Sequence, residues 1–200
     1  MTIVARAATI LLATLLFAHP AAAEGDVEAG KQIGYSCLGC HGIEGYRNAY
    51  PSFRVPKLGG QKAGYLAIAL RGYRDGTRAH PTMVAQASSL TDQDIEDVAA
   101  YLASLANDTV EDGGSDAQPI DAAATCTACH GANGISVNAV WPTLAGQYED
   151  YLERSIRQYK DGTRGDAVMA AQATLIADED IALLARYFAS LKGLETTKPE

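Results

Sequence analysis

The chain has 200 residues, with 24 acidic against 16 basic side chains and a formal net charge of −8. That balance makes a poor match for a phosphate backbone and argues against nucleic acid as a partner. The length fits one ordinary domain or two small ones, and four cysteines raise the question of disulfides in an exported chain.

Residues 1–23 carry one charge, Arg6, then an apolar run over 7–18 and a small-residue ending at Ala23. They read as a secretory signal peptide cleaved near Ala23. The run is too short for a permanent anchor, since a spanning helix needs about 20 residues. The expected mature chain starts at Glu24, is exported, and has no later stretch apolar enough to cross a membrane.

Two stretches then repeat. "SCLGCHG" at Ser36–Gly42 returns as "TCTACHG" at Thr125–Gly131. "PKLGGQ" at Pro56–Gln61 returns as "PTLAGQ" at Pro142–Gln147, and "DGTR" at Asp75–Arg78 returns at Asp161–Arg164. From Pro56 onward the copies align without gaps at an offset of 86, while Cys37 to Cys126 is an offset of 89. The first copy therefore holds three extra residues within "IEGYRNAYPSFRV". A fixed internal repeat marks duplicated units. The expected units are 24–106 and 119–200, joined by an acidic linker over 107–118 with the composition of a flexible connection.

Each copy reads as helical. A helix is expected over Val27–Ser36, leading into the first pentapeptide. "GYLAIALRGYRDG" and "DYLERSIRQYKDG" form a helix pair, with Gly76 and Gly162 placed for left-handed caps. Ile95, Val98, Leu102 and Leu105 recur at helical spacing behind "TDQD", an N-cap signal; Asp178 is the expected cap of the second closing helix. Tyr101 and Tyr187 are expected where closing and opening helices cross. Trp141, Tyr65 and Tyr151 read as pocket or core packing. The expectation is an all-α protein of two tandem domains, each with three helices and a core thin enough to need a staple.

Cys-x-x-Cys-His is the attachment pattern of c-type haem. Two residues between the thiols let both reach the vinyl groups on one porphyrin edge, and the following imidazole lies under the iron. Cys37, Cys40 and His41 form one such set, and Cys126, Cys129 and His130 the other. Together they use every cysteine and leave none for a disulfide. A thioredoxin-like pair lacks its strand–helix context, and zinc-finger spacing separates cysteines from histidines where here they adjoin.

The sixth ligand follows from counting. Met83 and Met169 are the only methionines after Met1, and they occupy equivalent positions in the two copies. The rival in the first copy is His80, but its counterpart is Asp166, a poor haem ligand. Symmetry favours Met83 and leaves His80 as an exposed loop residue. His/Met ligation leaves no open coordination position, so the expected role is single-electron transfer rather than catalysis.

With these motifs in hand, the chain resembles the dihaem cytochrome c4 family, a tandem of class I cytochrome c folds. The resemblance implies two covalently bound haem c groups, anchored by Cys37, Cys40, Cys126 and Cys129 and ligated by His41, Met83, His130 and Met169. It implies haems packed near the domain interface with their propionates close together. It also implies a periplasmic carrier moving electrons from a donor such as a quinol-oxidising complex toward a terminal oxidase, with loose membrane association. Two alternatives stand beside it: an electron-accepting subunit of a dehydrogenase complex, and a dihaem peroxidase-type enzyme. Arg47, Arg54, Lys57, Lys62, Arg71, Arg74 and Arg78 suggest a basic face on the first copy, turned to haem propionates or to an acidic partner.

Overall fold

The computed structural model describes residues 25–106 and 118–197. The proposed signal peptide and nearly all of the linker lie outside the described residues. Eight α-helices are described: α1 Val27–His41, α2 Ala63–Arg74, α3 Pro81–Ala87 and α4 Asp92–Ser104 in the first domain, then α5 Ala124–His130, α6 Glu149–Lys160, α7 Ala167–Thr174 and α8 Asp178–Ser190 in the second. Among the described residues the only extended pairing is two isolated antiparallel bridges.

The signals that start and stop these helices are local. Asp26 caps α1 by accepting from the Glu28 and Ala29 amides. Thr91 and Asp94 form a reciprocal capping box at α4. Gly76 and Gly162 follow α2 and α6 with φ of 82° and 79°, the left-handed conformation that glycine adopts without steric penalty.

One cap differs from expectation. The N-cap of α8 is Ala177, with no side-chain bond, and Asp178 is the first helical residue. Its carboxylate accepts instead from Lys160 Nζ at 2.7 Å. Three acids in that first turn still complement the positive end of the helix dipole.

The first core is Leu38, Leu66, Leu70, Ile95, Val98, Tyr101 and Leu102, closed where α1 crosses α4. Gly30 and Gly34 permit that crossing: a Cβ at Gly30 would lie 1.9 Å from the Asp97 carbonyl oxygen, and one at Gly34 would lie 2.9 Å from the Tyr101 ring. Tyr101 thus sits at the crossing, as its spacing suggested. In the second domain α5 is short, and α8 packs on the 3₁₀ turn Asp121–Ala123 that precedes it. Tyr187 is buried there in a cluster with Ala123, Leu184, Phe188 and Leu191.

Gly30→Ala separates two effects. Helix propensity alone favours alanine by up to about 1 kcal/mol. The clash is with backbone, which cannot swing aside, and overpacking costs about 1–3 kcal/mol or more. Net destabilisation is expected, read as a lower denaturant midpoint with unchanged haem content.

A fourth helix in each domain, α3 and α7, was not anticipated. Each follows a capping side chain that accepts from the methionine amide: His80 Nδ1 from Met83 N–H at 3.3 Å, and the Asp166 carboxylate from Met169 N–H at 2.8 Å. His80 and Asp166, which look unlike as ligands, do the same job as N-caps. His80 is therefore a half-buried cap packed edge-on to Phe53 at 6.0 Å, not an exposed loop residue.

Candidate functional site

Cys37, Cys40, His41 and Met83 all line one cavity of about 570 Å³ in the first domain, within the usual range of about 300–1,000 Å³ for small-molecule sites. α1 supplies the first three on its last turn, and α3 supplies the methionine. The second domain places Cys126, Cys129 and His130 on α5 and Met169 on α7 in the same order. None of the four cysteines is in a disulfide. Burial pushes the Cys37 and Cys126 thiols up, which argues against a thiolate redox pair.

Each histidine is oriented by a carbonyl. His41 Nδ1 is 2.7 Å from the Pro56 oxygen, and His130 Nδ1 is 2.8 Å from the Pro142 oxygen. An imidazole that donates from Nδ1 keeps a lone pair on Nε2, the state a metal ligand requires. Burial lowers both pKa values, outweighing the carbonyls that favour the proton, so both rings are neutral at pH 7. His80 lines the same cavity, but its Nδ1 accepts from Met83 N–H, which puts the ring proton on Nε2 and removes the lone pair from that end.

The wall of the cavity comes partly from the other domain: Tyr151, Arg154, Thr163 and Arg164 line it along with Tyr65 and Arg78. Arg78 and Arg164 are equivalent residues, and they pair with each other through an antiparallel backbone bridge. A residue meeting its own equivalent marks a two-fold axis. The Gly165 amide donates to the Thr77 carbonyl beside this bridge at 2.7 Å.

Both guanidiniums are buried, at 7% and 5% exposure. Their partners are hydroxyls: Arg164 donates to Tyr65 and Ser155 at 2.9 Å, and Arg78 to Tyr65 at 3.5 Å. Among the described residues neither has a carboxylate partner, and the Nε of each is buried with no hydrogen-bond partner. Burial works to raise the Tyr151 phenol, yet Arg164 and Arg78 outweigh it and bring it down to about 8. Two buried cations without counter-charge are costly. The carboxylates of haem propionates would supply the missing anions, so the residues present fit the group.

Of the expected basic face, Arg78 is the residue placed for propionates, and most of the others have partners within this chain. Arg47 and Arg54 reach Asp150 of the second domain at 3.2 and 3.5 Å. Lys57 Nζ donates to the Gly146 and Leu194 carbonyls at 2.6 and 3.1 Å. Arg71 pairs with Glu96, and Arg74 with Asp92 at 2.8 Å. Arg47, Arg54 and Lys57 are spent in the domain seam, and Arg71 and Arg74 in local pairs.

The longer loop of the first copy is part of that seam. It forms a hairpin, with Asn48 N–H to Phe53 O at 2.9 Å and Val55 N–H to Tyr46 O at 2.8 Å, and Arg154 of α6 stacks on Phe53 at 4.6 Å. Tyr65 and Tyr151 lie at the seam on the cavity wall, whereas Trp141 is 41% exposed and is not core packing. Gln61 and Gln147, both 4% exposed, cross the seam and were not singled out from sequence. Their signal was their return at the same offset in "PKLGGQ" and "PTLAGQ".

The helices, the paired Cys-x-x-Cys-His segments and the propionate-ready arginines define a tandem c-type cytochrome, an all-α protein with one covalently held haem c in each of two domains. The profile of the cytochrome c family matches residues 27–106 and 118–192. A cytochrome c4 from Azotobacter vinelandii is 39% identical over 213 residues, covering 93% of this chain and 99% of that protein. A thiosulfate dehydrogenase electron acceptor from Stutzerimonas stutzeri (strain A1501) is 33% identical over 177 residues, covering 80% of this chain and 81% of that protein. The crystal structure of reduced recombinant cytochrome c4 from Pseudomonas stutzeri superposes with a TM-score of 0.64 at 30% identity, covering 84% of this chain and 99% of that one. The chain belongs to the dihaem cytochrome c4 family.

Proposed function

We propose that this cytochrome c4-type electron carrier works in the periplasm, after cleavage near Ala23, as a two-centre relay for single electrons. The observation that carries the reading is the placement of His41 and Met83, from different helices, on the walls of one cavity that also holds both cysteines. Cys37 and Cys40, and Cys126 and Cys129, anchor the two haems through thioether bonds. His41 with Met83, and His130 with Met169, complete the two coordination spheres. Bound in this way, haem supplies reversible one-electron exchange between Fe(II) and Fe(III).

The chain's own residues set the conditions for that exchange. The thioether sulfurs favour Fe(II) and raise both potentials. The capped helices α3 and α7 hold the methionines in place, so the ligand set stays fixed as an electron arrives from a reduced donor and leaves to an oxidised acceptor. A filled sphere would leave no position for peroxide, which argues against the peroxidase reading. Arg78 and Arg164 would neutralise haem propionates at the seam.

The donor and acceptor that suit this reading are a quinol-oxidising complex and a terminal oxidase. A second reading, an electron acceptor for a dehydrogenase, is favoured by the likeness to the thiosulfate dehydrogenase electron acceptor. Redox titration of the purified protein followed by visible spectroscopy tests the site. Two haems per chain, both low-spin and both with the Met–Fe(III) charge-transfer band, are expected. A high-spin centre or a missing band in either domain would overturn the ligand assignment. Co-purification with a catalytic dehydrogenase subunit, or rapid reduction by one, would favour the second partner.

A further inference from the structure

The two histidine carbonyls, Pro56 and Pro142, belong to peptide groups whose other ends are also occupied. The amide of the Pro56–Lys57 peptide is Lys57 N–H, which donates to Gln147 Oε1 at 3.0 Å. The amide of the Pro142–Thr143 peptide is Thr143 N–H, which donates to Gln61 Oε1 at 2.8 Å. In both cases the acceptor comes from the opposite domain. Each glutamine also donates its Nε2 to the carbonyl of the residue it reads: Gln147 to Lys57 at 3.0 Å, and Gln61 to Thr143 at 2.9 Å. The arrangement is reciprocal. His41 depends on Gln147 through one peptide, and His130 depends on Gln61 through its equivalent.

Hydrogen bonds joined through a peptide polarise one another. A peptide whose N–H is accepted carries more negative charge on its oxygen, and chains of this kind strengthen by roughly 10–30% per bond. A stronger acceptor at Pro56 or Pro142 draws the Nδ1 proton and makes the imidazole a better donor to its metal. Better donation favours Fe(III) and lowers the potential of that centre. Both glutamines are buried, so water does not replace them in this role.

We propose that Gln61 and Gln147 are positioning residues that each set the proximal histidine, and hence the potential, of the other domain's haem. The duplicated domains tune each other through the seam, and undocking them raises both potentials by the same route. This inference rests on His41 and His130 as iron ligands.

The test uses the full holoprotein. Gln147→Met keeps side-chain length and removes both polar atoms. Redox titration should then show the first domain's potential raised and the second domain's unmoved. Gln61→Met should give the reverse, raising the second and sparing the first. Met83→His and Met169→His, each lowering the potential of its own centre, identify which potential belongs to which domain. Should either methionine variant fold poorly, Gln147→Glu retains an acceptor for the Lys57 amide, and it should move the first potential downward more than the second. A shift confined to the domain that carries the substitution, equal shifts in both domains, or no shift in any variant would overturn the relay. Haem content and the low-spin spectrum of the unsubstituted protein check the ligand assignment separately. Their failure removes the footing of the proposal, whereas unmoved potentials under intact spectra overturn the relay alone.

Discussion

Met169→Ala is expected to abolish the Met–Fe(III) band of the second centre and convert it to a high-spin form, leaving the first centre's spectrum intact. Beyond the linker the sequence holds one histidine, His130, and one methionine, Met169. No second imidazole or thioether is therefore available in that domain to fill the vacated position. Losing a ligand that favours Fe(II) lowers the potential, and the fall should exceed about 59 mV, one decade for a one-electron couple. Met83→Ala is the matched experiment in the first domain and bears on His80. Had His80 been the ligand, that substitution would leave the first spectrum unchanged. With its Nδ1 held by the Met83 amide at 3.3 Å, His80 is expected to remain a cap, and the first centre's band should vanish as well.

The paired substitution Cys126→Ala and Cys129→Ala is expected to remove one haem per chain, seen as the loss of one tetrapyrrole mass, and to unfold the second domain. The reason lies in how little else holds α5. It has 7 residues, well under the 12–15 or so at which isolated helices become even marginal in water. Its packing relies on Cys126 against the Tyr187 and Phe188 cluster. Without the covalently held haem, the residual core is too small to stand alone. Circular dichroism should lose the share of helix contributed by α5–α8. Because Tyr151, Arg154 and Arg164 wall the first domain's cavity, the surviving centre should also shift in potential. An unchanged first potential would show that the seam has no influence on it.

Much of this was legible in residue order. The Cys-x-x-Cys-His pentapeptides stand out because covalent attachment demands a fixed spacing, and fixed spacing survives in one dimension. The duplication was legible because it preserved register from Pro56 to Leu191. Helix ends at Gly76, Gly162 and Thr91 were legible because caps are made within a few residues. The methionines were proposed as ligands by elimination, which a chain with so few candidates allows. The short helices α3 and α7 were missed because seven or eight residues carry too little periodicity to register, although Pro81 behind a capping residue was a usable cue. Asp178 was misread as a cap because carboxylates are common in first turns for dipole reasons as well as at caps.

The sequence by itself determined the two Cys-x-x-Cys-His attachment sites, the order along the chain of the residues proposed as ligands, and the all-α repeat, since each depends on chemistry confined to neighbouring residues. Only the tertiary structure decided what the repeats do to each other. It drew Arg47, Arg54 and Lys57 of the suspected basic face into a domain seam, placed Arg78 against Arg164 on a two-fold axis, and brought Gln61 and Gln147 to the peptides behind the opposite histidines. Those pairings join residues some 82 to 90 positions apart. Hydrogen bonds act over about 3 Å, so nothing in linear order distinguishes such partners until the chain has folded.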